Sequence, residues 1–570
     1  MVEETSVEET VLPGDAGREW WQEAVVYEIY PQSFNDSDGD GIGDLQGIAE
    51  KVDYLDDLGV DAVWLTPIYD SPHADNGYDV RDYRSILEEF GTMADFEALL
   101  AELHDRDIRV VLDIVLNHTS DEHEWFQRSR REKDGYESFY HWVDGEPDEP
   151  PNNWTTGFGG SAWTYDEVRG AWYLHLFDEK QPDLNWRTPA VREMMHEEVR
   201  FWLEKGVDGF RLDVFNVMSK PEGYPDGDPE EEWVGIEHFA NGPRIHEYLR
   251  GLSEDVLSEY DAMTVGEGMD LSPRDAKRYC GPSGDGLSMT YHYGHTSLDV
   301  GEDGWWDVVD WEVSEVRSVL SDWARALELT DAWNTVYLGT HDTPRIVSRF
   351  GNDDRYRYES ATLLATVLLT MPATPFLFQG DEIGMANYPW SAREEMRDAD
   401  ATNRVDTAIE SGAIESFAEA EGVVRYRSRD NARTPVQWTD GEHAGFTDGE
   451  PWIPVNPDHD RVNVAADRDR DDSIFRFYSD LIDVRDDTEA LRYGVYDLLT
   501  DDHPRVWAYT RRTGDEVVLI AVNWAGRTSR VDLGSAGTVE SVLACNYDDP
   551  GTDLSSIALR PYEARVYRLS

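Results

Sequence analysis

The chain has 570 residues, of which 40% are hydrophobic and 12% aromatic. That supports a large buried core and argues against disorder, while a prior of about 100–200 residues per domain predicts more than one unit. Against 118 Asp and Glu stand only 50 Lys and Arg, for a formal charge of −68, and lysine occurs only at Lys51, Lys133, Lys180, Lys205, Lys220 and Lys277. This balance excludes nucleic acid and anionic membranes as partners, because both need a basic patch. It predicts a surface that repels itself until molar salt shortens the Debye length to about 3 Å, as in a salt-rich cytoplasm.

Residues 1–18 read as an acidic tail with neither a positive start nor an apolar run. No stretch approaches the roughly 18 apolar residues of a membrane span, so a soluble cytoplasmic protein is expected. Cys280 and Cys545 are too few for a disulfide framework.

From there short β-type runs recur at 24–31, 62–68, 109–118, 209–214, 263–268, 289–293, 334–341 and 374–380. Between them lie stretches of helical period, such as DFEALLAELHDRD and ESATLLATVLLT. Eight strand and helix alternations predict an α/β fold, a closed (β/α)₈ TIM barrel over 19–117 and 188–488. A Trp-, Gly- and Pro-rich segment at 118–187 reads as a small domain inserted after the third strand. A polar insertion follows the eighth strand at about 385–460, and short strands from 489 to 570 predict a C-terminal antiparallel β domain. The same alternation could build a nucleotide-binding fold, but GDGIGD at 39–44 fails the GxGxxG pattern, so no organic cofactor is expected.

In a barrel the chemistry sits at the C-terminal strand ends. Those ends carry Asp113, Asn117 and His118 on the third, Arg211 and Asp213 on the fourth, Glu267 on the fifth, and His341 and Asp342 on the seventh. Carboxylates at the mouths of three strands, each beside Arg or His, point to acid–base work on a small molecule. The bland alternative is a set of ion pairs closing the barrel top.

The strings VYEIYPQSF, DIVLNH, QPDLNW, GFRLDV, VGEG, HDTPRIVSRFG and RDNARTPVQW resemble the α-amylase superfamily, glycoside hydrolase family 13, over nearly the whole chain. The likeness is greatest to its oligo-1,6-glucosidase branch. The resemblance implies a retaining, exo-acting α-glucosidase that releases glucose from short α-glucosides. Asp213 would be the nucleophile, Glu267 the general acid/base and Asp342 the third carboxylate, which holds sugar hydroxyls. Arg211 would keep Asp213 ionised while Glu267 is raised. His118 and His341 match the histidines that bind the same sugar. Asp75 and Tyr78 match the wall behind it, and Arg429 the arginine paired with Asp75. Val214 matches the valine that goes with α-1,6 linkages, since an apolar side chain can pack on the extra methylene. Thr340, Thr343 and Gly294 depart from the family pattern and are expected on the leaving-group side, which puts aglycone specificity in question.

Asp36, Asp38, Asp40, the Ile42 carbonyl and Asp44 have the oxygen-ligand spacing of a Ca²⁺ loop, with Gly41 at the turn and Gly47 in place of the usual glutamate. Glucosidases that the chain resembles bind calcium at the matching loop. Structural Ca²⁺ is therefore expected, with Mg²⁺ or a merely solvated acidic loop as alternatives. His292 and His295 lack the further ligands of a zinc site. The expected partner is a small oligosaccharide, the expected assembly a monomer or small homo-oligomer. Within the family, maltase, sucrose-cleaving, isomerase and trehalose-6-phosphate hydrolase activities compete. From another class comes a non-catalytic, glycosidase-shaped binding protein.

Overall fold

The computed structural model describes residues 18–570 except 282, 283, 329, 331 and 515, so the expected acidic tail lies, apart from Arg18, outside the described residues. Eight parallel strands close a barrel in sequence order: β1 (Val26–Ile29), β2 (Ala62–Leu65), β3 (Arg109–Val115), β4 (Gly209–Asp213), β5 (Met263–Glu267), β6 (Met289–Tyr291), β7 (Trp333–Val336) and β8 (Thr374–Phe378). All eight fall within or beside the expected runs. Period-two alternation divides each strand between two cores. Val26, Trp64, Val111, Met263, Val265 and Phe376 fill the inside of the barrel. Tyr27, Val63, Leu112, Phe210 and Leu212 face the surrounding helices. With both faces buried, parallel strands read as apolar runs, so any charge within them is conspicuous.

Helices return the chain between strands and start on local signals. Thr92 and Asp95 form a capping box on Met93–His104, and proline opens Pro189–Glu204. Between β3 and β4 a three-stranded antiparallel sheet, Trp142–Asp144, Ala171–Leu174 and Trp163–Asp166 in spatial order, stands over the barrel mouth.

Residues 385–460, read from sequence as a polar stretch, carry an apolar core of their own. Helices Ala399–Ser411 and Phe417–Arg427 close on Trp390, Met396, Val405, Val424 and Ile453. The apolar positions are few and spread among charges, which hides the period.

The C-terminal sheet comprises β9 (Val495–Leu498), β10 (Val506–Thr513), β11 (Glu516–Asn523), β12 (Val539–Cys545) and β13 (Ala564–Leu569), paired antiparallel in the order β9-β10-β11-β13-β12. It begins at Val495, because 489–493 is still a short helix, Glu489–Tyr493. The sheet seats on helix Arg357–Thr370, buried throughout from Ser360. Arg511 Nη1 donates to the Thr370 carbonyl at 2.7 Å, and Asn546 Nδ2 to that of Glu359 at 2.9 Å. Cys280 and Cys545 are both free thiols. Among the described residues no helix is long and apolar enough to cross a membrane.

Candidate active site

A pocket of about 240 Å³ opens at the C-terminal strand ends. On its floor, alternation turns Asp113 of β3, Arg211 and Asp213 of β4 and Glu267 of β5 inward, and the register sets Asp113 beside Arg211. The guanidinium is 1% exposed and serves three carboxylates. Its Nη1 lies 2.9 Å from Asp113 Oδ1 and 2.6 Å from Asp213 Oδ1, and its Nη2 2.6 Å from Glu267 Oε2. Glu267 Oε2 also accepts the Val214 N–H at 3.0 Å, and Tyr293 donates to Oε1. Tyr291 turns its hydroxyl to Arg211 Nη2 at 2.7 Å.

Arg211 does not suffice to keep Asp213 low, contrary to the sequence expectation. Burial outweighs the guanidinium, Glu267 and Asp113 add to it, and the Asp213 carboxyl is pushed well above the usual carboxylate range.

The turn after β7 carries His341 and Asp342. His341 Nε2 is 2.8 Å from Tyr78 Oη and 3.1 Å from Asp342 Oδ2, while Nδ1 faces Glu28 of β1 at 2.5 Å. Burial pushes the imidazole down, but Asp342 and Glu28 outweigh it and raise His341 to about 10. Burial also acts against ionisation of Asp342, but His341, Arg429 and Arg433 prevail and hold it well below the usual range. His118, by contrast, is lowered to about 4 by burial and stays neutral. Lys220 Nζ pairs with Asp183 at 2.5 Å and donates to Asn117 Oδ1 at 2.6 Å, so the Asn117 amide nitrogen faces His118 Nδ1 at 3.2 Å.

Behind this group the pocket is closed by Asp75, Tyr78 and Arg429. The ion pair expected between Asp75 and Arg429 is loose, at 3.8 Å. Arg429 is held more tightly by Asp398 at 2.8 Å and also meets Asp342 at 3.3 Å. Its buried Nη2 makes no hydrogen bond among the described residues. Burial, against the pull of Arg429 and Arg433, raises Asp75 to about 6. Gln181 of the QPDLNW string donates to Asp75 Oδ2 at 3.2 Å and reaches His118 Nε2 at 3.1 Å.

The opposite rim is apolar: Phe158, Phe177, Val214, Trp233 and Met269, with Tyr293 beside them. Val214 sits at φ 35°, ψ 40°, a left-handed conformation that a β-branched residue rarely adopts. That bend directs its N–H to Glu267. Thr340, Thr343 and Gly294 do not line the pocket. Thr340 and Thr343 bond to each other, and Thr340 Oγ1 accepts the Asp342 N–H, within the β7 turn. A Cβ at Gly294 would meet Val319 and His292 at 3.0–3.1 Å.

Of the ten residues read from the sequence as catalytic or sugar-binding, eight line one pocket, and Arg211 and His341 stand behind it against Asp213 and Tyr78. Sequence reasoning missed Glu28, Gln181, Asp398, Tyr293 and the aromatic rim. Glu28 and Gln181 stood inside quoted strings and Tyr293 at the end of the sixth expected run; Asp398, Phe158, Phe177 and Trp233 stood in segments without strand-end context.

The acidic loop after β1 lies apart. Carboxylate oxygens of Asp36, Asp38 and Asp40 gather within 4.8 Å of one another. Gly41 at φ 95° has no room for a side chain, since a Cβ would come within 1.9 Å of the Glu450 carbonyl oxygen. Asp44 is occupied otherwise, capping helix Leu45–Ala49 through Gly47 N at 2.6 Å and binding Ser37 N at 2.8 Å. Ile42 donates its N–H to Asp40 at 2.8 Å.

Residues 28–494 match the family described as alpha amylase, catalytic domain. The chain is 47% identical over 559 residues to an oligo-1,6-glucosidase of Parageobacillus thermoglucosidasius (97% of this chain, 99% of the relative) and 48% identical over 558 residues to one of Bacillus cereus (97% and 100%). Among solved structures, trehalose-6-phosphate hydrolase of Bacillus licheniformis superposes with a TM-score of 0.91 at 42% identity, covering 97% of this chain and all of that one. Isomaltulose synthase of Klebsiella sp. LX3 gives 0.93 at 41%, with the same coverage. With the barrel, its strand-end carboxylates and a family match over most of its length, this chain belongs to the α-amylase catalytic-domain family.

Proposed function

We propose that the protein is a retaining, exo-acting α-glucosidase that prefers α-1,6 linkages in short glucosides. One observation carries this reading: Asp213 and Glu267 share the Arg211 guanidinium at the open side of a pocket whose far end Asp75 and Arg429 close. Carboxylates bridged by one cation fit the spacing of a retaining pair, about 5–5.5 Å, rather than the wider 6.5–9.5 Å of an inverting one. Asp213 would attack the anomeric carbon while Glu267 protonates the leaving oxygen, and Glu267 would then activate water. The pair needs one proton between them, carried by Glu267 when the Asp213 carboxylate attacks. Asp342 and His341 would hold the glucose hydroxyls, and Arg429 Nη2 has a free donor for the non-reducing end.

Of the neighbouring activities, a phosphorylated disaccharide fits least. Among the described residues Arg429 is the only cationic side chain lining the pocket, and its charge is shared with Asp398, Asp342 and Asp75. Val214 and Met269 on the apolar rim favour an extra methylene over a polar contact, at about 1–3 kcal/mol. Glucose release from isomaltose and maltose, compared in molar KCl, tests the linkage. Faster release from maltose sinks the preference but leaves the chemistry, and a product of inverted anomeric configuration sinks the mechanism.

The loop of Asp36, Asp38 and Asp40 fits a hard divalent cation, which as a structural ion would neutralise their mutual repulsion; Ca²⁺ suits the spacing and Mg²⁺ is the alternative. Chelation is expected to lower Tm and re-addition of Ca²⁺ to restore it. Elemental analysis of the untreated protein showing no divalent ion would defeat this assignment.

A further inference from the structure

The sugar explains one side of His341 but not the other. There β1 supplies Glu28, itself 1% exposed, whose Oε1 lies 2.5 Å from His341 Nδ1 and accepts the His341 backbone N–H at 3.2 Å. On the other side of the ring, Tyr78 Oη is 2.8 Å from Nε2. The single Tyr78 hydroxyl proton goes to Asp113 Oδ2 at 2.9 Å. Asp113 acts as acceptor throughout, taking Arg211 Nη1 at 2.9 Å and Trp64 Nε1 at 3.3 Å as well. The Tyr78 oxygen is left to accept from Nε2, and each ring nitrogen must then carry hydrogen.

Other charged or titratable groups are turned to this ring from several elements. Asp342 follows it in the β7 turn, and Tyr30 after β1 stacks on it with centroids 6.1 Å apart. Arg433, from the segment after β8, donates to its carbonyl at 3.3 Å, and Arg211 stands behind Tyr78, 5.7 Å from that ring. Of these only Glu28 touches Nδ1 without also facing the pocket.

Resting on the glucoside-binding reading above, we propose that Glu28 is a positioning residue that keeps His341 doubly protonated, so that a fixed cation rather than a neutral ring meets the sugar beside Asp342. Burial pushes the Glu28 carboxyl up, and His341 and Arg211 offset this in part. The result is a buried row of alternating charge, carboxylate, imidazolium, carboxylate, in which the central cation holds Asp342 ionised. A glutamine at 28 would fill the same space and leave Nδ1 facing an amide.

The test is Glu28→Gln in the full chain, with isomaltose hydrolysis followed from pH 6 to 9 and the ¹⁵N resonances of His341 assigned by their loss in His341→Asn. The kcat/KM of E28Q relative to wild type should fall about tenfold across that range, as expected for a histidine moved by one or more pH units into it. Wild-type His341 should stay doubly protonated at pH 8, where that of E28Q begins to lose a proton. A neutral wild-type ring at pH 8 overturns the proposal whether or not the variant folds. So does a variant whose activity ratio is flat with pH and whose ring stays charged. The ring is read without substrate, so a wild-type enzyme that cleaves no α-glucoside would refute the substrate reading and leave the role of Glu28 decided by the resonance.

Discussion

Glu267→Gln is nearly isosteric: its amide oxygen can still accept the Val214 N–H while the Tyr293 hydroxyl turns to accept from the amide nitrogen, and the transferable proton is gone. Loss of a general acid costs about 10²–10⁴-fold in kcat. The loss should appear in full with isomaltose and be much smaller with 4-nitrophenyl α-glucoside, whose leaving group needs no protonation; an equal loss with both would assign Glu267 a purely structural part. Asp75, raised to about 6, makes a prediction with a definite sign. Above that pH it is a carboxylate able to accept a sugar hydroxyl and attract Arg429; as pH falls through about 6 it gains a proton and that attraction is lost. KM for isomaltose should rise on the acid side, and in Asp75→Asn this pH dependence of KM should vanish. Glu267 was legible because it closed a strand run, whereas Asp75 was legible only through the family resemblance of its loop. Asp398 was not: nothing in its local sequence shows that it would anchor Arg429 from 31 residues away. The Asp213 titration was misread because burial, which sequence does not display, outweighed the visible arginine.

Between residue and fold, the segments after the barrel strands do the enclosing. Arg345, fully buried at the end of the β7 turn, donates to the carbonyls of Gln379 at 2.5 Å, Asn431 at 3.1 Å, Ala432 at 2.8 Å and Thr434 at 3.3 Å. It thereby fixes the stretch that carries Arg429 and Arg433 against the barrel. Arg345→Met leaves several buried carbonyls without a donor, at about 1–3 kcal/mol for each one unsatisfied. We expect a loss of about 2–4 kcal/mol in chemical denaturation and a rise in KM larger than the fall in kcat. Unchanged stability would show that water replaces the clasp. The eight barrel strands were readable as apolar runs because both their faces are buried. The insertion at 385–460 was not, since its small core draws one apolar residue here and there from a mostly charged stretch.

For the molecule as a whole, buried arginines such as Arg211, Arg345, Arg433, Arg485 and Arg511 are matched by buried carboxylates such as Glu28, Asp113, Asp381 and Glu382, so the surface keeps the acidic balance of the composition. In dilute buffer the Debye length of about 10 Å lets these charges repel one another, and in molar salt it does not. Tm should therefore climb steadily as KCl is raised from about 0.1 M to 2 M; a flat or falling curve would separate the charge from any adaptation to salt.

The pocket is also a clock of synthesis. Asp75 leaves the ribosome early, yet Arg429, which closes the same wall, follows roughly 350 residues later, at some 5–20 residues per second. A nascent chain thus holds its nucleophile and acid for roughly 10–40 s, and the His341 imidazole for about 4–18 s, before the glucose-sized end exists. Truncation between the end of β8 and Arg429 would leave the eight strands but a pocket open at its far wall, with no means of gripping a terminal sugar.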